Sequence, residues 1–226
     1  MLKTERMDRV RAALRAQGLT QMIVCDPKSV WYLTGVAVEP YERLLALYLP
    51  TEGEPVLFLN RLFNVPEPPC RTVWHTDTDK PVAQIAEVVD AGRPLGIDKE
   101  WPAKFLIPLM ETHPGMQVVL SSDCVDDCRA CKDAEEQTLM REASRINDAV
   151  NEAAKHYIKA GMTEREVAEF IDAQFRAHGC EGPSFTTIVS FGANAADPHH
   201  EPDDTVLKEG DCVLFDMGCV KSRYCS

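Results

Sequence analysis

The sequence predicts an α/β domain followed by a second domain of α+β character, and two patterns carry this prediction. In about the first 120 residues, short β-branched and aromatic segments alternate with amphipathic ones, which is typical of a sheet covered by helices. Beyond residue 125 the pattern changes to two long amphipathic segments followed by two strand-like segments. The 226 residues suffice for two small domains, which we expect at residues 1–125 and 126–226.

The elements of the first domain follow from apolar periodicity between turn-forming residues. Met7, Val10 and Leu14 form the apolar face of a helix expected over residues 4–17. Further helices are expected at 81–92 and 101–112. Strands are expected at 21–26, 29–35, 44–50, 55–60, 94–99 and 117–122, with a hairpin turn at TEGE and a loop at the proline-rich stretch 65–70.

The second domain begins with the strongest helix of the chain, expected from Ala134 to Lys159. Its apolar residues recur at steps of four and three, and they are Leu139, Ala143, Ile146, Val150, Ala153 and Tyr157. Thr163 and Glu166 have the spacing of a capping box, which predicts a second helix that runs to Gly179. Strands are expected at 186–192 and 211–218, and the resulting α+β pattern looks unfinished.

The composition argues against two classes of partner. The chain has 24 basic and 36 acidic residues and a formal net charge of −12, so the clustered cations that nucleic acids and anionic membranes require are not expected. The N-terminal sequence MLKTERMDRVRAAL lacks the apolar core of a signal peptide, and no apolar run approaches the roughly 18 residues of a membrane span. We therefore expect a cytoplasmic protein whose nine cysteines are free thiols.

The stretch FGANAADPHHEP is the first candidate site, because it places His199 and His200 on a loop directly after a strand. Neighbouring side chains of an extended backbone point in different directions, so one histidine is expected to enter a given cleft. Two solvated histidines on a polar surface loop are the alternative. Pro198 and Pro202 bracket the pair, which favours a group that is held in place.

Asp216 in VLFDMG is the second candidate. A carboxylate in an apolar strand is costly unless a metal, an arginine or a set of N–H donors compensates its charge. An aspartate that caps the following turn is the alternative reading. One carboxylate does not hold a divalent ion well, because such ions take several oxygen or nitrogen ligands.

The remaining candidates carry less weight. Cys124, Cys128 and Cys131 have the C-x3-C-x2-C spacing of a radical SAM iron–sulfur loop, but they lie far from an early barrel strand, and we interpret the spacing as a coincidence. The isolated histidines are interpreted as surface residues, and they are His75, His113, His156 and His178. Asp203 and Asp204 are interpreted as turn residues.

Four segments together resemble the creatinase, aminopeptidase P and prolidase group of pita-bread metallopeptidases. They are DPKSVWYLTGV (26–36), RACKDAEEQTLMREASRINDA (129–149), TTIVSFGANAADPHHEP (186–202) and LKEGDCVLFDMGCVKSRYCS (207–226). The resemblance follows the order of the whole chain, and the last two segments are the more specific. It implies a creatinase/prolidase N-terminal-type α/β domain followed by an incomplete α+β pita-bread catalytic domain.

The resemblance also implies roles for two residues. Asp216 matches the first metal-binding aspartate of the family, and His199 matches the active-site histidine that contacts the substrate and steadies the tetrahedral intermediate. His200 receives no fixed role. The family's second metal aspartate would fall just beyond Ser226, and its later ligands, one histidine and two glutamates, further on. This 226-residue form is therefore expected to be inactive.

The implied function of the complete chain is hydrolysis of Xaa-Pro bonds in proline-containing peptides by two divalent metal ions, Mn²⁺ or Co²⁺, in a homodimer. Two alternatives remain open. One is a metal-independent amidinohydrolase like creatinase. The other is a non-catalytic binding or dimerisation protein with a vestigial catalytic half. An aspartate encoded directly after Ser226 would favour the peptidase.

Overall fold

The computed structural model describes residues 2–226, which form two compact units. The first unit extends to Cys131 and the second from Lys132 to Ser226. The domain boundary expected after residue 125 falls inside a helix, Asp123–Ala130, whose buried residues pack into the core of the first unit. That helix was not anticipated, because its sequence DCVDDCRA has few apolar positions.

The first unit contains a six-stranded sheet. Its strands are β1 Gln21–Val24, β2 Ala46–Pro50, β3 Val56–Asn60, β4 Arg71–His75, β5 Leu95–Ile97 and β6 Val118–Leu120. They lie in the order β4-β3-β2-β1-β5-β6, and β2 is antiparallel to both of its neighbours, whereas the other pairs are parallel. The expected hairpin between 44–50 and 55–60 is confirmed, since Leu47 pairs with Leu57.

Five helices accompany this sheet, namely α1 Thr4–Ala16, α2 Pro27–Thr34, α3 Pro81–Ala86, α4 Ala103–Thr112 and α5 Asp123–Ala130. Alternate residues of the strands enter different cores. Met22 packs with residues of α1, α2 and α5, whereas Ile23 packs with residues of α3 and α4. Both faces of the sheet are therefore covered, which explains why its strands read as continuous apolar runs.

Residues 29–34 form part of helix α2, and Gly35 caps it, whereas the β-branched and aromatic composition of 29–35 predicts a strand. The Asp26 side chain accepts a hydrogen bond from the Ser29 N–H at 2.9 Å, and Pro27 occupies the first turn. Gly35 ends the helix in the left-handed conformation, with φ at 76°. These caps outweigh the β propensity of the residues between them.

Three further expectations for the first unit need correction. Strand β4 was not anticipated, and helix α3 ends at Ala86 instead of residue 92. His75 is not a surface residue, because it is 2% exposed, with its Nε2 3.0 Å from the carbonyl oxygen of Leu44 and its Nδ1 3.3 Å from Asn60 Nδ2. It lies at the end of β4, whose position beside β3 buries it.

The second unit consists of two long helices and short strands. The helices are α6 Ala134–Tyr157 and α7 Glu164–Ala177, and the strands are β7 Gly182–Pro183, β8 Ile188–Phe191, β9 Val213–Asp216, β10 Cys219–Lys221 and β11 Tyr224–Cys225. The capping box predicted for Thr163 and Glu166 is present. Ala143, Val150 and Phe175 pack with Val189 and Phe191 in one core. This core fixes β8 against the helices.

Candidate active site

The antiparallel pair β8–β9 and the loop that connects its strands carry the residues that the sequence singled out. Asp216 lies on β9, and His199 and His200 lie on the loop. Phe191 pairs with Val213 at one end of the ladder, and Ile188 pairs with Asp216 at the other. The chain between the two strands starts with a 3-10 helix, Gly192–Ala196, and continues through the two histidines. We call residues 192–207 the histidine loop.

The two histidines of this loop have different surroundings. His199 is exposed, and its backbone N–H donates to Asp197 Oδ1 at 2.9 Å. The side chain of His200 is 16% exposed, and its Nε2 lies 2.7 Å from Glu164 Oε2. The carboxylate can only accept, so Nε2 carries the donated proton. Of the two histidines, His200 is the one whose side chain faces inward.

Glu164 is the partner that the sequence did not reveal. It is the first residue of α7 and is fully buried. Its Oε1 accepts from the backbone N–H of Phe191 at 2.7 Å and from Asn194 Nδ2 at 3.0 Å. Its Oε2 accepts from His200 and from the backbone N–H of Asp203 at 3.2 Å. An acidic residue at a helix start is a weak signal, because such residues are common there for electrostatic reasons alone.

Electrostatic effects in this cluster follow from those contacts. The hydrogen bond to Glu164 raises the pKa of the His200 imidazole, while desolvation opposes the rise and the charges of Glu164, Asp203 and Asp197 add to it. Hydrogen bonds donated by the Thr205 side chain and backbone N–H lower the pKa of Asp203. The interpretation of Asp203 as a turn residue agrees with its 2.7 Å bond to the Thr205 N–H.

Glu164, His200 and Asp203 also form the one group in residues 2–226 whose three potential metal-ligand atoms lie within 4.8 Å of one another. Their hydrogen bonds do not suit a metal ion. Both oxygens of Glu164 already accept two N–H groups each, and His200 presents a proton to the carboxylate. The cluster is a closed hydrogen-bond network. Within residues 2–226, the thiols of Cys124, Cys128 and Cys131 form no such group.

Asp216 is exposed, contrary to the buried carboxylate that its apolar neighbours suggested. Strand β9 pairs with β8 alone in the described residues, and Val213 and Leu214 are exposed as well. Across residues 2–226, no hydrogen bond or ion pair engages the Asp216 side chain. Its charge is thus free to meet a ligand.

His199 and Asp216 are not in contact with each other. Three residues of strand separate the Asp216 end of the ladder from the start of the histidine loop, which corresponds to about 10 Å.

Comparisons with known proteins define the class to which this chain belongs. A family model of the creatinase/prolidase N-terminal domain matches residues 6–131, and one of metallopeptidase family M24 matches residues 138–226. The chain belongs to the creatinase/prolidase family, and its residues 138–226 match the M24 metallopeptidases. The creatinase-type α/β domain followed by part of an M24 domain, as the sequence predicted, is confirmed.

Individual relatives agree with this assignment. A putative dipeptidase, YkvY, from Bacillus subtilis is 30% identical over 236 residues, which cover 98% of this chain and 63% of the relative. The structure is similar to a prolidase from Thermococcus sibiricus, with a TM-score of 0.90, 28% identity, and coverage of 100% of this chain and 64% of that one. Dipeptidase PepE from Mycobacterium ulcerans gives a TM-score of 0.88 at 29% identity, over 99% of this chain and 62% of that one. The chain thus spans less than two thirds of the length of these proteins.

Proposed function

We propose that the protein to which this chain belongs hydrolyses Xaa-Pro peptide bonds, as an aminopeptidase P or an Xaa-Pro dipeptidase. One observation carries the proposal. In a chain of the M24 family, the β8–β9 pair presents an unpaired carboxylate, Asp216, and its connecting loop presents an exposed imidazole, His199. Proline-containing peptides are the proposed substrates, since similar proteins are a prolidase and dipeptidases.

Asp216 is the proposed ligand for a divalent metal, and two such ions, Mn²⁺ or Co²⁺, are proposed for the complete site. Its exposed carboxylate, with no other partner, suits this role, but it supplies too few of the several ligands that such ions take. The described residues therefore fit part of a metal site, with Asp216 as its one assigned member. The Glu164 network contributes none, because its acceptor positions are filled.

His199 is the proposed catalytic histidine. Its exposed imidazole can donate a hydrogen bond to the oxygen of a scissile carbonyl as negative charge develops there. A donor of this kind contributes about 2.7–4 kcal/mol to transition-state stabilisation where it has been measured by mutation.

Cytoplasmic location and a homodimer remain parts of the proposal. In residues 2–226, every helix is too short or too polar to cross a membrane.

The test is hydrolysis by the native protein, purified from its source cells, of an Xaa-Pro dipeptide and an Xaa-Pro-Yaa tripeptide. We expect cleavage with Mn²⁺ or Co²⁺ and its loss on chelation. Preference for one of the two peptides assigns the dipeptidase or the aminopeptidase type. Hydrolysis of creatine without metal, with both peptides intact, would support the creatinase-like alternative instead. Peptide binding without cleavage would support the binding-protein alternative.

Single substitutions then test the two residues. We expect His199→Ala to lower kcat about 100- to 1,000-fold, because it removes a transition-state donor. We expect Asp216→Asn to abolish the metal-dependent activity, because a neutral amide is a poor ligand for a hard cation. His156→Ala and Asp148→Asn are the matched controls, since both residues are exposed on α6. If the controls lose as much activity as the site variants, the assignments are wrong.

A further inference from the structure

Glu164 contacts the two ends and the middle of the loop region that carries His199. Its four donors are Phe191 at the end of β8, Asn194 in the 3-10 helix, and His200 and Asp203 further along. They lie within 13 consecutive positions of the chain, yet they converge on one side chain that is 0% exposed. Removing this carboxylate would leave one buried and three partly buried donors without this acceptor.

Other contacts also hold parts of the loop. The Gly192 N–H donates to the Cys212 carbonyl at 2.9 Å, and the Arg165 N–H donates to the Asp203 carbonyl at 3.2 Å. The backbone N–H of Glu164 donates to the Thr205 carbonyl at 3.2 Å, and Thr163 and Val206 form an isolated antiparallel bridge. These bonds join the start of α7 to residues beyond the histidines. The segment of the two histidines is tied back to α7 by the bond from His200 to Glu164.

The attachment of His200 determines where its neighbour lies. Pro198 and His199 form a turn in which the His200 N–H donates to the Asp197 carbonyl at 3.3 Å, so anchoring the His200 side chain also fixes the position of His199. His199 also follows Pro198, whose φ is fixed by its ring, and its N–H is bonded to Asp197. The outward position of His199 is thus a consequence of the inward position of His200.

We propose that Glu164 is a positioning residue, which holds the histidine loop through His200, Phe191 and Asp203 so that His199 is presented at the candidate active site. The inference rests on the proposed function for the role of His199, and on the hydrogen bonds alone for the role of Glu164. Glu164 acts through other residues and does not itself touch a substrate.

The attachment of His200 to Glu164 depends on pH and weakens as the pH rises. The groups that face His200 are Glu164 on α7 and Asp197 and Asp203 on the loop, and all are acidic. Because the pKa of His200 is raised above 6.5, the ionic part of the attachment is fully present below that value. It is lost as the pH rises through the raised pKa of the folded state. Above it, a neutral hydrogen bond from Nε2 remains.

The first test uses NMR on the 226-residue chain and needs no activity. In Glu164→Gln we expect the amide protons of Phe191 and Asp203 to exchange about ten- to a hundredfold faster, because a charged acceptor is lost. We expect the pKa of His200 to fall towards 6.5, and the backbone amide resonance of His199, whose N–H is bonded to Asp197, to move towards that of an unstructured chain. Glu166→Gln, in the capping box of the same helix, is the charge-matched control and should change none of these.

A second pair of variants guards against misfolding of Glu164→Gln. His200→Gln keeps an N–H near the position of Nε2, whereas His200→Leu removes the donor. We expect His200→Gln to preserve the His199 resonances and His200→Leu to shift them. Unchanged His199 resonances in both Glu164→Gln and His200→Leu would overturn the proposal, even if exchange at Phe191 and Asp203 became faster.

Kinetics separate this inference from the proposed function. If the native protein cleaves Xaa-Pro peptides, Glu164→Gln should lower kcat about tenfold to a hundredfold with little change in KM, because substrate binding does not involve Glu164. His200→Gln should retain most of the activity. A native protein without hydrolysis would contradict the proposed function, whereas the NMR results would still decide whether Glu164 positions His199. A change in KM alone would contradict a positioning role.

Discussion

Two buried carboxylates in this protein, Asp98 and Glu164, each receive several N–H donors. Asp98 is 5% exposed, and it accepts from the backbone N–H groups of Cys25, Asp26 and Glu100 at 2.9 to 3.3 Å. Glu164 is buried with four donors. Asp216, which has none, is exposed. Burial of a charge is therefore compensated by donors at each of these positions, as desolvation requires.

Burial also controls the reactivity of the cysteine thiols, and thiol labelling at about pH 8 tests this. Desolvation raises the pKa of the Cys124 thiol to about 11, so only about 0.1% of it is thiolate at that pH. We expect a maleimide to react rapidly with the exposed thiols of Cys131, Cys212 and Cys225. Buried Cys124 should react at least about 100-fold more slowly, as measured by mass spectrometry of peptides.

The control for this experiment is the protein in denaturant, where all nine cysteines should react. Equal rates at Cys124 and Cys131 in the folded protein would contradict the burial of Cys124. Reaction at Cys124 should become faster as the pH rises towards its pKa, because the thiolate is the reactive form.

At the scale of elements, the ends of a segment decide its conformation as much as its composition does. Helix α2 forms from the β-branched and aromatic residues between Asp26 and Gly35 because both of its ends are capped. Asp26 accepts from both the N–H and the Oγ of Ser29, and it also receives Arg129 Nη1 at 3.2 Å. The cap therefore joins α2 to α5 within the first unit.

Removal of this cap tests its contribution. We expect Asp26→Ala to lower the free energy of unfolding of the first unit by about 1–2 kcal/mol, because the N-cap bond and the contact with Arg129 are both lost. Urea denaturation, monitored by tryptophan fluorescence, measures this free energy of unfolding. The three tryptophans all lie in the first unit, and they are Trp31, Trp74 and Trp101. Lys28→Ala is the control, because Lys28 is exposed in the same helix. Equal stability of the two variants would contradict the capping role.

At the scale of the whole molecule, the chain consists of two units with separate cores. The sheet of the first unit buries apolar residues on both faces, in two clusters. A third cluster joins α6 and α7 to β8 in the second unit. Each unit thus has its own hydrophobic interior, which is what independent folding requires.

Expression of residues 1–131 alone tests this independence. We expect a folded domain with one cooperative urea transition, because the six strands and five helices of the unit bury their apolar faces within it. Circular dichroism and tryptophan fluorescence should report coincident midpoints. Separate midpoints, or binding of a dye that recognises exposed apolar surface, would show that the unit needs residues beyond Cys131.

By itself, the sequence determined the order of most helices and strands, the two classes of domain and the family, because these depend on local periodicity and short motifs. The stripe of α6 and the capping box of α7 were read correctly for this reason. Local sequence made His199 and Asp216 candidates, the resemblance gave them roles, and those roles remain predictions. Only the tertiary structure decided which charges are buried. The donors to Glu164 lie 27 to 39 positions away along the chain, and no local pattern specifies such contacts. The same reason explains why the burial of His75 and the exposure of Asp216 could not be predicted, since both depend on which strands lie beside β4 and β9.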